Sequence, residues 1–93
     1  MYVAALDKEA MLQELRDVCA HVGYTVRFER GDFSGGACIL KEQRLLVVNK
    51  RFHIDRKLST IAHALREIGV DAVFMKPAVR SYVEDEWSKV AQA

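Results

Sequence analysis

A chain of 93 residues that is 51% apolar and 29% charged is too hydrophobic to stay disordered and too short to divide, so residues 1–93 are read as a single domain. At this length folding removes only about 60–65% of the unfolded surface from water, and the core must be small. The net charge of +1 excludes the strong basic field of a dedicated nucleic-acid-binding protein, and no stretch approaches the roughly 20 apolar residues of a membrane span.

The first six residues are apolar but lack the basic flank and the length of a signal sequence. Asp7 then offers a helix cap, Glu9 sits near the positive end of the helix dipole, and Met11, Leu15, Val18 and Val22 recur at helical spacing, widened by Leu12 and Cys19. Gly23 ends that helix. From Tyr24 the period changes to two, with Tyr24, Val26 and Phe28 alternating with polar residues, which predicts a strand near a sheet edge with one wet face. Residues 31–36, Gly-Asp-Phe-Ser-Gly-Gly, hold three of the five glycines. A phosphate cradle needs such glycines at the entrance to a helix; a strand comes next, so this reads as a flexible connection with a bulge.

Two short apolar runs follow, Ala37–Leu40 and Leu45–Val48, separated by a polar turn that begins at Lys41. They predict a hairpin whose second strand is covered on both faces and forms the centre of the fold. Asp55 is the expected cap of a helix reaching Ile68, with Leu58, Ile61, Ala62, Leu65 and Ile68 on its buried stripe and Arg56, Thr60, His63 and Glu67 together on the opposite side. Gly69 closes it. Val70–Met75 reads as a fourth strand joined by a parallel crossover, and Pro77 as the first residue of a last helix with Val79, Val83, Trp87 and Val90 facing inward. The expected fold is α+β: a small, mostly antiparallel sheet of three or four strands with three helices, in the order α-β-β-β-α-β-α.

Three constellations carry chemistry. His63 and Glu67 stand one helical turn apart, a spacing at which two side chains can reach one metal ion, although a plain solvated pair has the same spacing and a zinc site needs further ligands. Cys38 and His53 are the candidates to supply one. The segment Lys50, Arg51, Phe52, His53, Arg56 and Lys57 interleaves cations with an aromatic ring, as phosphate and base contacts require; from Lys41 to Lys57 six cations face two carboxylates, a net +4. That excess is modest for nucleic acid, and the segment reads first as a solvated loop or a site for an anionic partner. Cys38, next to the paired glycines, could be a nucleophile, but a cysteine in an apolar strand is more often core. Cys19 and Cys38 together fit reduced thiols in a cytoplasm.

The order of elements, the hairpin ending in Val-Val-Asn, and Leu58-Ser59-Thr60-Ile61-Ala62-His63-Ala64-Leu65 resemble the ImmA/IrrE family of zincin-like zinc metallopeptidases, whose helix carries Thr-hydrophobic-Ala-His-Glu-Leu-Gly-His. The similarity spans roughly Asp7 to Ile68, with its specific part confined to the residues around His63. It places His63 at the first metal-binding histidine. Ala64 stands where the family has its catalytic glutamate, Arg66 at the glycine and Glu67 at the second histidine. A zinc-bound water needs that glutamate as its base, and alanine accepts no proton. The resemblance therefore implies a degenerate scaffold relative, with zinc held if at all through His63 and Glu67. The functional expectation is a cytoplasmic, non-catalytic binding or interaction module, engaging a protein partner or a second copy of itself as a homodimer. The alternatives are a zincin-like metal-dependent hydrolase and a weak nucleic-acid binder acting through residues 50–57.

Overall fold

The computed structural model describes residues 7–30 and 36–91. The chain runs through α1 (Lys8–His21), β1 (Thr25–Glu29), β2 (Ala37–Leu40), β3 (Leu45–Asn49), α2 (Ile54–Ile68) and α3 (Pro77–Ala91). Among the described residues three helices and a three-stranded sheet make an α+β fold. Asp7 caps α1 as its sequence position demands, with Oδ1 accepting from the Ala10 N–H at 2.7 Å. Gly23 and Gly69, just beyond α1 and α2, both have positive φ, a conformation that glycine adopts without a Cβ clash.

The sheet order is β1-β3-β2. The most apolar strand, β3, takes the centre because a central strand is the one whose side chains and backbone are both removed from water. The expected antiparallel arrangement holds for the β2–β3 hairpin, whereas β1 pairs with β3 in parallel. In register, Val26 and Ile39 flank Leu46, while Phe28 and Ala37 flank Val48. Partners in register share a face, and this is the face on which the helices pack.

The core joins Leu15 and Cys19 of α1, Leu46 and Val48 of β3, Ile61 and Leu65 of α2, and Val79 and Val83 of α3, all essentially without exposure. Full burial of each such aliphatic side chain contributes about 1.5–3 kcal/mol relative to exposure. Phe28 sits half-buried at the border of this core with Arg16 of α1 and Lys57 of α2 over its ring, at 5.4 and 5.0 Å from the centroid.

Four expectations need correction. Leu45 and Val47 are only half-buried, so β3 is covered on one face and not on both; the helices all occupy the Leu46/Val48 side. The cap of α2 is His53, not Asp55: the helix begins at Ile54 and the His53 Nδ1 faces the Asp55 N–H at 3.5 Å. Cys38 is exposed, not core, because register puts it beside Val47 on the less covered face of an edge strand. Val70–Met75 is not a strand. The run is broken by a turn in which the Val73 N–H donates to the Val70 carbonyl, and Val70 and Met75 anchor it in the core while Phe74 stands 81% exposed. A short apolar run is compatible with a strand but supplies no neighbouring edge to pair with. Lys76 fixes the end of this link through a 2.7 Å bond to Glu14 of α1.

Candidate functional site

Helix α2 divides its surface cleanly. Leu58, Ile61, Ala62 and Leu65 enter the core. Arg56, Thr60, His63 and Glu67, spaced four, three and four residues apart, line one wall of a groove of about 610 Å³. The opposite wall is β2, contributed by Ala37, Cys38, Ile39 and Lys41. Because β3 occupies the centre of the sheet, β2 lies at an edge, and among the described residues nothing pairs with its outer side. The polar side of α2 therefore borders a shallow cleft beside a strand edge that no described residue pairs, with Arg56 and Glu67 exposed to solvent.

The end of the groove near Ala37 has a built feature. Gly36 is buried with φ of +77°, and a Cβ added there would lie 1.9 Å from the Phe52 ring. Glycine thus permits both the backbone turn and the seating of Phe52. On that ring rests the Arg56 guanidinium, 4.2 Å from the centroid. Stacking restrains the guanidinium and leaves its N–H edges free to donate.

His63 occupies the middle of the α2 wall, half-buried, and its nearest acidic partner is not Glu67. Its Nε2 lies 3.5 Å from Oε1 of Glu86 on α3. The same oxygen accepts from the Ser59 hydroxyl at 2.7 Å, and Oε2 accepts from Lys89 at 2.9 Å. Glu86 is only 9% exposed. The Lys89 bond, followed by the Ser59 bond and the nearby charges of Lys89 and His63, holds its carboxyl below the usual range against the opposing effect of burial. A single carboxylate thus clasps α2 to α3, beside the Trp87 indole N–H donating to the Ala62 carbonyl at 2.8 Å. On the far side of Ser59 a cavity of about 470 Å³ is bordered by Lys8, Asp55 and Tyr82. Burial, reinforced by the negative charges of Glu86, Asp55 and Asp85, pushes the Tyr82 phenol up to about 12. Asp55 is itself held low by its 2.7 Å contact with Lys8.

The groove brings Cys38, Arg56, His63 and Glu67 to one cleft but disperses the rest of the basic segment. Lys57 covers Phe28, His53 caps α2, and the backbone N–H groups of Lys50 and Arg51 are used locally, on the Glu29 carbonyl and the Asn49 side chain. Phe52 is half-buried under Arg56 and so is not an exposed contact ring. Asp32, Phe33 and the glycine-rich residues up to 35 lie outside the described residues.

The donors among the described residues do not make up a zinc site. Among the described residues no three His, Cys, Asp or Glu side chains gather closely enough to share an ion, His63 is directed at Glu86, and the buried Ala64 can take no proton. Cys19 is sealed in the core, where burial pushes its thiol up to about 12 and makes it inert at neutral pH. Sequence reasoning missed Glu86. The available signal was its position: three residues after Val83 and next to Trp87, it falls on the inward stripe of α3, where a carboxylate needs partners.

Against known proteins, no family model, curated protein or solved structure matches the chain. No helix among the described residues is long and apolar enough to cross a membrane.

Proposed function

We propose that the protein is a non-catalytic interaction module that binds an extended segment of a protein partner in the groove between β2 and α2, in a reducing compartment such as the cytoplasm. The observation that carries this reading is the outer edge of β2, unpaired among the described residues, beside a groove walled by the polar side of α2. An unpaired strand edge offers backbone N–H and C=O groups to any extended chain, which supplies affinity, while the neighbouring groove selects alternate side chains. The other edge of the sheet is less suited: β1 carries Arg27 and Glu29, paired to each other at 2.7 Å, the kind of charged blunting that discourages strand addition.

The test is a two-step experiment. Peptides selected for binding to the immobilised protein are titrated into the isotope-labelled chain, and backbone amide shifts are followed by NMR. Shifts concentrated at residues 37–41 and 56–67 are expected. Saturable binding with shifts confined to the half-buried Leu45/Val47 face or to the β1 edge would place the partner elsewhere and contradict the proposal.

A further inference from the structure

Resting on the groove reading, we infer that the segment it receives is acidic, with the pattern acidic, any residue, small apolar residue, any residue, acidic. Charge pairing over the described surface is incomplete. Lys8, Arg27, Lys76, Arg80 and Lys89 all have carboxylate partners within 4.0 Å. The other nine have none among the described residues, and of these Lys41 and Arg56 are the two that line the groove, one toward each end of it. Arg56 stands at the Ala37 end, held on Phe52, which is seated over Gly36. Lys41 follows Leu40 at the other end of the strand.

Strand β2 advances about 10 Å from Ala37 to Leu40, and with Lys41 at the first position of the turn the span approaches about 13 Å. On an added strand that distance separates residues i and i+4, which point to the same side. Acidic side chains at those two positions meet Arg56 and Lys41 together. The i+2 side chain between them falls where Ile39 and Ala64 line the groove with Thr60, a patch with room for a small apolar group.

Glu67 is the one carboxylate on either wall among the described residues, and it opposes the acidic end that Lys41 attracts. Its removal therefore tightens binding. The free edge of β2 favours a peptide over nucleic acid, since a strand edge pairs with amide groups and has nothing equivalent to offer a phosphodiester chain. A second copy of this chain is disfavoured by charge. Two-fold antiparallel pairing of β2 with itself sets Lys41 of each copy against the Arg56 end of the other, like charge against like.

Fluorescence anisotropy with two labelled nine-residue peptides decides the matter, one centred on Glu-Thr-Val-Thr-Glu and the other on Gln-Thr-Val-Thr-Gln. Two exposed charge pairs correspond to roughly tenfold tighter binding of the acidic peptide at physiological salt. That ratio should fall toward one in the Lys41→Gln/Arg56→Gln variant and rise in Glu67→Gln. Equal binding of both peptides, blocked for both by Thr60→Trp, overturns the acidic preference and leaves the groove in place. Binding of neither peptide by a folded protein overturns the inference, and failure of the display-selected peptides as well removes the groove reading beneath it. A single-stranded oligonucleotide that binds more tightly than the acidic peptide, and is lost in the double variant, reassigns the site to nucleic acid. A dimer in sedimentation that the double charge removal strengthens, and that excludes both peptides, reassigns it to a second copy.

Discussion

The two sides of α2 do different work. Its inner side presents Leu58, Ile61, Ala62 and Leu65 to α1 and β3, and is held by non-directional burial that neither salt nor pH alters much. Its outer side presents Ser59, His63 and Arg56 to Glu86, Phe52 and the groove, through contacts that depend on specific atoms at specific distances. Apart from Ala64, which belongs to both, the residues of α2 that border the cleft are not the ones that close the core, so a change on one side need not disturb the other.

Breaking the inner side should have the largest effect. Leu46→Asp places a charge in the middle of β3 with no partner, which costs several kcal/mol against a total stability of about 5–15 kcal/mol for a domain. The variant is expected to give no cooperative thermal transition by circular dichroism. A melting profile like the parent's would mean that β3 is not the centre of the core.

The seam between the two sides comes next. Glu86→Ala strips Ser59, His63 and Lys89 of their common acceptor, an expected loss of roughly 1–3 kcal/mol in urea unfolding. The pH dependence follows from its depressed carboxyl pKa. A folded-state value below the unfolded one, whose ordinary value is 4.5, gives a contribution present in full above that value and lost as pH falls through the folded pKa. Glu86→Gln should therefore flatten the acid limb of stability below about pH 4.5 while changing little of the curve's shape above it. An unchanged acid limb would show that Glu86 has no linked proton.

Gly36→Ala probes how the groove is furnished. Positive φ and a Cβ 1.9 Å from the Phe52 ring force the ring or the turn to shift, at about 1–3 kcal/mol. Near-parental stability would show that Phe52 is not seated as described, and Arg56 with it.

Much of the fold was legible in the sequence, and the reason is local. The Asp7 cap, the β2–β3 hairpin, the inner stripe of α2 and Pro77 at the head of α3 each depend on residues within a turn or two of one another. The parallel pairing of β1 with β3 and the absence of a strand at Val70–Met75 depend on which edges are free, and hydrophobic period carries no such information. The candidate site was legible by halves. The common face of Arg56, Thr60, His63 and Glu67 followed from 100° per residue, but the wall opposite comes from β2, and the His63 partner comes from α3 rather than from Glu67.

The smallest stability effect belongs to the outer side. His63→Ala removes a half-exposed ring 3.5 Å from Glu86 and is expected to cost at most about 1 kcal/mol, as one partly exposed ion pair of several around that carboxylate. Elemental analysis of the parent sharpens the point, with no stoichiometric zinc expected. Near-equimolar zinc that disappears in His63→Ala would restore the metal-dependent hydrolase reading.

The most direct measurement is amide hydrogen exchange of the two sheet edges with and without a peptide that binds. Addition of a strand to β2 should slow the β2 amides that point away from β3, while the outer amides of β1 exchange as before. Unchanged exchange along β2 in the saturated complex, or new protection along β1 instead, would contradict the placement of the binding site beside α2.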